Sequence, residues 1–197
     1  THIGVSFKVE KTGGKTVVKI GDYTEEFNAG QQIRFQIYFG GGDNDENDKR
    51  TDYLDNVMLV NKTAQEVIPE PDYDLFNNIV NSSFEAESLI ANGSFEEGNS
   101  LTFGGWGNWV NWFCDYNGTN SEFSVTDEKA HSGEKALKVT GVYSNKNDVW
   151  GVGINYAING DNFTDGNYKF SFWKASDKSA SSVIGVSFKI YDKADAE

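Results

Sequence analysis

Two stretches of this chain, one near each end, have the same six residues. The string IGVSFK occupies residues 3–8 and again residues 184–189, both times within an alternation of apolar and polar side chains. A repeat of this length inside a strand-like pattern predicts a tandem array of similar modules. The chain covers about one period of that array but is out of phase with it. It therefore joins the second half of one module to the first half of the next.

The rest of the sequence predicts an all-β protein. It has 21 Gly and 2 Pro, which favours many turns between short strands. No segment has a sustained helical period. Alternating apolar and polar residues predict strands at 3–10, 15–20, 33–39, 54–60, 108–114, 121–126, 135–142, 149–158, 167–175 and 182–191.

Charge and residue usage exclude several classes of function. The formal net charge of −13 argues against nucleic acid and anionic membranes as partners, because both require a basic surface. A single cysteine, Cys114, allows neither an internal disulfide nor a zinc cluster. With only His2 and His131, few nucleophilic catalytic arrangements can be built.

A linker divides the chain into two halves. Residues 62–88 have no sustained period and contain both prolines, so we interpret them as a linker. Residues 1–61 then form the C-terminal half of one module, and residues 89–197 form the N-terminal half of the next.

Four motifs resemble one family of proteins. LIANGSFEEG at 89–98, followed by Trp106, is similar to the opening of carbohydrate-binding modules of the family 4/9 type, which are related to families 16 and 22. AHSGEKALKV at 130–139 is similar to their second signature, and NYKFSFWKAS at 167–176 to an internal strand. YLDNVMLV at 53–60 resembles their closing strand, which comes last in the family but first here.

The resemblance implies a β-sandwich jelly roll with the two sequence halves in circularly permuted order. Neither half could bury its own sheet, so the halves must close on each other or exchange with a second chain as a domain-swapped dimer. We expect one closed sandwich, with one IGVSFK copy in a sheet and the other peripheral or swapped.

The resemblance also implies a polysaccharide site of stacking aromatics on a concave sheet. Trp150 matches the family's stacking Trp, and Asp148 beside it could bond sugar hydroxyls. Trp109 and Tyr38 are the further candidates for ligand contact. We expect Trp173, within the strand FSFW, to lie in the core.

A structural calcium ion is the implied cofactor. By motif match its ligands would be the carboxylates of Glu96 and Asp55 and the carbonyls of Ser94 and Lys135. The alternative is that both carboxylates make local hydrogen bonds within loops.

Three functions compete. The first is a non-catalytic module that binds a β-1,4-linked plant polysaccharide, xylan or soluble β-glucan, for an attached glycoside hydrolase of a secreted or bacterial cell-surface protein. The second is a glycoside hydrolase, which needs two carboxylates across a cleft. The third is a structural or adhesive repeat of a surface protein.

Overall fold

Within the described residues the chain folds into β-strands joined by turns, with a short 3₁₀ turn at Gly160–Asn162. The computed structural model describes residues 1–40, 49–63, 87–97, 112–115, 121–142, 152–177 and 183–191. The strands within these ranges are β1 His2–Thr12, β2 Lys15–Ile20, β3 Tyr23–Asn28, β4 Gln32–Gly40, β5 Lys49–Asn61, β6 Trp112–Asp115, β7 Ser121–Thr126, β8 Ala136–Val142, β9 Val152–Asn159, β10 Gly166–Ser176 and β11 Val183–Tyr191.

These strands form two antiparallel sheets. The larger sheet has seven strands in the order β3-β2-β1-β10-β5-β8-β7, and the smaller has four in the order β11-β4-β9-β6. Strand β10 pairs with β1 on one side and with β5 on the other, so both parts of the sequence contribute to the same sheet. Strand β9 likewise pairs with β4 in the smaller sheet. The prediction of an all-β, sandwich-like protein is confirmed.

Aromatic rings join the two sheets across the core. Phe35 of β4 lies 5.3 Å from the ring of Phe170 on β10 and 5.9 Å from that of Phe7 on β1. All three side chains are buried. Burying a phenylalanine stabilises a fold by about 1.5–3 kcal/mol, so this contact is a large part of what holds the sheets together.

A one-residue bulge interrupts β5 where it passes β10. Ser171 pairs with Met58 but Trp173 pairs with Asp55, so β5 has one residue more than β10 at this point. Asn56 in the bulge has φ 49°, a left-handed conformation that asparagine tolerates better than most residues. The bulge changes which residues face the core. Asp55 consequently lies on the outer face of the larger sheet, opposite Trp173.

The two IGVSFK copies occupy different sheets. The first lies in β1, between β2 and β10, and the second lies in β11, at the edge beside β4. Strand β3, with sequence YTEEFN, was not predicted. Adjacent Glu25 and Glu26 break its alternation, and within this strand Phe27 is the buried residue.

Candidate functional site

The outer face of the smaller sheet carries large polar side chains that are nevertheless buried. Along β4, Ile33, Phe35 and Ile37 belong to the core, so residues 34 and 36 point away from it. Arg34 is 4% exposed and Gln36 is 7% exposed. Asn155 of β9 is the register partner of Gln36 and is 0% exposed.

Polar groups that are buried on the outer face of a sheet must exchange their hydration for other hydrogen bonds. A guanidinium and two carboxamides lose hydration when they are buried, and this is tolerable only where they are hydrogen-bonded. Together they place polar groups of two neighbouring strands, β4 and β9, on one face of the smaller sheet. We name Arg34, Gln36 and Asn155 the polar row.

Sequence reasoning did not single out these three residues. The signal was present in the alternation of IRFQIYF, which gives Arg34, Gln36 and Tyr38 the same parity. Tyr38 pairs with Gly153 and so continues the polar row by register, although its side chain lies outside the description. The other predicted ligand contacts, Trp150, Trp109 and Asp148, lie outside the described residues.

The second predicted site is organised around the loop of residues 130–135. Asp55 Oδ2 accepts hydrogen bonds from the backbone N–H groups of His131 at 2.7 Å and Ser132 at 3.0 Å. Its Oδ1 accepts from the N–H of Asn56 at 2.6 Å. The carboxylate is 2% exposed, so these donors satisfy a charge that is almost fully removed from water.

Glu96 binds the same loop two residues further on. Its Oε1 accepts from the N–H groups of Glu134 and Lys135, both at 2.8 Å. Gly133 makes this approach feasible: its φ is +66°, and a Cβ there would lie 2.3 Å from Glu96 Oε1. Glycine is therefore favoured at position 133 by its backbone conformation, and the absence of a Cβ leaves room for the Glu96 carboxylate.

The segment of residues 87–97 is fixed against β5 by its backbone. Val57 N–H donates to the Gly93 carbonyl at 2.9 Å, and Leu89 N–H donates to the Leu59 carbonyl at 2.8 Å. Phe95, with φ 60°, is fully buried in the core. These contacts bring Ser94 and Glu96 toward the loop that Asp55 binds. The structure thus brings three of the family-like motifs together.

The donor set fits a calcium ion only in part. Two carboxylates meet at one loop, as a hard cation requires, but three of their four oxygens already accept backbone N–H groups. The Nζ of Lys135 also lies 3.3 Å from the Glu96 carbonyl oxygen. Within the described residues, no group of three or more His, Cys, Asp or Glu side chains is arranged to hold a metal.

Trp173 lies on the outer face of the larger sheet and not in the core, which corrects our expectation for it. It is half-buried because its neighbour Phe172 takes the inward position. The ring of His131 stacks on it at 3.7 Å with an interplanar angle of 12°, and the ring of His2 is 4.9 Å away. Trp173, His131 and Tyr53 line a cavity of about 350 Å³.

A small charged cluster lies at the edge of this cavity. Tyr53 Oη donates to Glu128 Oε2 at 2.7 Å, which raises the pKa of the tyrosine. Hydrogen bonds from Lys138, and then from Tyr53, lower the pKa of Glu128. Glu128 is therefore an ionised acceptor. This contact stabilises the outer face of the sheet and keeps the Glu128 carboxyl deprotonated.

No helix in the described ranges is long and apolar enough to cross a membrane. Comparisons of the chain with protein-family models, with curated proteins and with solved structures found no match, so the functional argument depends on the geometry above.

Proposed function

We propose that this protein is a non-catalytic module that binds a β-1,4-linked plant polysaccharide, xylan or a soluble β-glucan, on the outer face of the smaller sheet. The observation that supports the proposal is the position of the polar row: Arg34, Gln36 and Asn155 share the outer face of β4 and β9, in register with Tyr38. Sugar recognition needs such fixed polar groups beside aromatic platforms. Trp150, Trp109 and Tyr38 are the proposed platforms, with Asp148 as a further hydroxyl partner.

The jelly-roll topology and the permuted order belong to the same proposal. We propose that residues 89–197 and residues 1–61 close one sandwich, joined by the linker 62–88. The position of β10 between β1 and β5 supports this, because those neighbours come from the other side of the linker. A structural Ca²⁺ between Asp55 and Glu96 would tie the same two halves together. The meeting of both carboxylates at one loop supports it.

Two carboxylates in the described ranges are unsuited to acid catalysis. A glycoside hydrolase needs a carboxylic acid with a raised pKa close to a second carboxylate. The pKa of Glu10 is lowered to about 2 by hydrogen bonds from Lys19 and Lys8, and the pKa of Glu128 is also lowered. Both shifts are opposite to what a general acid requires. The proposed context is a secreted or bacterial cell-surface protein with an attached catalytic domain.

The proposal is tested by isothermal titration calorimetry with xylohexaose and cellohexaose. The wild type, Gln36→Ala and Trp150→Ala are titrated in parallel, with Trp173→Ala as the matched aromatic control on the opposite sheet. We expect at least about ten-fold weaker binding for Gln36→Ala and Trp150→Ala, because each loses a central ligand contact. Trp173→Ala should bind like the wild type.

Three outcomes would contradict the proposal. A folded wild type that gives no heat with either sugar would favour the structural or adhesive repeat. Equal loss in all three variants would show a general effect on folding. Release of reducing ends from the sugars would indicate an enzyme.

A further inference from the structure

Because the hexapeptide occurs twice, the chain has two strands suited to the same position, the place beside β10. In β1 it pairs with β10, where Ile3 faces Phe172 and Phe7 faces Tyr168. In β11 it pairs with β4, where Ile184 faces Phe39 and Phe188 faces Phe35. Both ladders are antiparallel. The same residues therefore fill two different positions in the two sheets.

The position beside β10 needs a particular pattern of side chains. The inward residues of β1 include Phe7, 5% exposed, and Val9, 0% exposed. At position 4 a Cβ would lie 2.9 Å from Lys169 Cε, at the end of a flexible side chain, and 3.4 Å from Ser171 Cβ, so a small residue fits there. Strand β11 has Gly185 at the equivalent position. Its apolar residues at the matching positions are Ile184, Val186, Phe188 and Ile190.

Strand β11 also has a short path to that position. Six residues, 177–182, separate the end of β10 from the start of β11. In the register of β1, residue 183 would face Trp173, and the intervening residues would form a hairpin loop. Because this connection is short, the effective concentration of β11 at β10 is on the order of millimolar.

From these observations we infer that β11 competes with β1 for the ladder beside β10. In the second arrangement, β10 and β11 form a hairpin, while β1 leaves β10 and the edge of β4 is uncovered. The strand that replaces β1 is β11 of the same chain, and it pairs with β10 in the register that β1 has in the structure.

Residues outside the hexapeptide explain why β1 holds the position. The ring of His2 lies 4.9 Å from that of Trp173 on β10. Glu10 pairs with Lys8 of its own strand at 2.7 Å and with Lys19 of β2 at 2.6 Å, which joins β1 to the β2 side of the sheet. The residues of the second copy at these two positions are Val183 and Tyr191, which offer neither contact. Ile190 would also replace Val9, which is fully buried, and its extra methylene would overpack the core there.

Disulfide trapping in the full chain tests this competition. All variants carry Cys114→Ser. The pair Gly4→Cys with Ser171→Cys reports β1 beside β10, and their Cβ separation of 3.4 Å is close to that of a disulfide, about 3.8 Å. The pair Gly185→Cys with Ser171→Cys reports β11 in the same register. An off-register control, Ser187→Cys with Ser171→Cys, measures random collisions.

Each variant is oxidised with glutathione disulfide, and the products are identified by non-reducing electrophoresis and peptide mass mapping. We expect the 171–185 bond to form within single chains at least about ten-fold faster than the 171–187 bond, because only the former has strand register. The two substitutions His2→Val and Glu10→Tyr together should raise the yield of the 171–185 disulfide about five-fold or more, since β1 then loses its extra contacts.

Two results would overturn the inference. The first is a 171–185 rate no higher than that of the off-register control, in variants whose circular dichroism matches the wild type. The second is a 171–185 bond found only between chains, which would assign the position to a second copy of the protein.

Discussion

The substitution Gly133→Ala examines how the loop of residues 130–135 binds Glu96. A left-handed φ of +66° costs a non-glycine residue about 1–2 kcal/mol. The new Cβ would also lie 2.3 Å from Glu96 Oε1, so the carboxylate must leave the N–H groups of Glu134 and Lys135. One of these hydrogen bonds is exposed and the other partly buried. We assign about 1–2 kcal/mol to their loss.

Gly13→Ala is the matched control. Gly13 has φ +60°, and a Cβ there would meet nothing within 4 Å. The control therefore carries the backbone strain without the contact. We expect Gly13→Ala to lower the free energy of unfolding by about 1 kcal/mol and Gly133→Ala by about 2–4 kcal/mol. Urea denaturation followed by circular dichroism and tryptophan fluorescence measures both, and coincident transitions check two-state behaviour.

A double-mutant cycle with Glu96→Ala identifies the cause. Once the carboxylate is absent, Gly133→Ala should cost no more than Gly13→Ala, because only the strain remains. Equal costs for the two glycine variants in the wild-type background would refute our account of the loop. So would an excess cost of Gly133→Ala that persists in the Glu96→Ala background.

Three further predictions concern other parts of the fold. The pKa of Glu10 is lowered to about 2, chiefly by the hydrogen bond from Lys19, so its stabilising contribution is present above about pH 4.5 and is lost as the pH falls toward 2. Thermal melting of Glu10→Gln should therefore vary less between pH 5 and 2 than that of the wild type; parallel curves would contradict this. Gly93→Ala places a Cβ 1.9 Å from the Val57 carbonyl oxygen and should lower the free energy of unfolding by about 2–4 kcal/mol in urea. A change below about 0.5 kcal/mol would show that the segment can move aside. Calcium at a hundred times its dissociation constant should stabilise the wild type by about 2.7 kcal/mol relative to excess chelator. Asp55→Asn should lose this effect, and an unchanged wild-type melting temperature would argue against the ion.

Strand positions in this protein follow from local sequence, and their pairing does not. Alternation in IRFQIYF and in the IGVSFK copies predicts β4, β1 and β11, since each strand has one apolar face. The same patterns cannot say which of the two strands that share IGVSFK lies beside β10. That choice depends on residues outside the repeat, such as His2 and Glu10.

The outer faces were harder to predict than the core. Trp173 was expected inside because it lies in the aromatic strand FSFW, but the parity of β10 gives the inward position to Phe172. Asp55 and Glu96 were expected to share a site, and the structure brings both to one loop. Their backbone N–H donors could not be predicted, because these depend on the left-handed φ of Gly133 and on the bulge at Asn56.

The position of β10 between β1 and β5 sets an order of events during synthesis. Strand β1 leaves the ribosome before its partner β10, which begins only at residue 166. At about 5–20 residues per second, β1 waits roughly 8–30 seconds for its neighbour. Throughout that interval the nascent chain exposes apolar strand faces that can associate with other chains. Slow translation or high expression should therefore favour aggregation, and chaperones that shield extended segments should raise the yield.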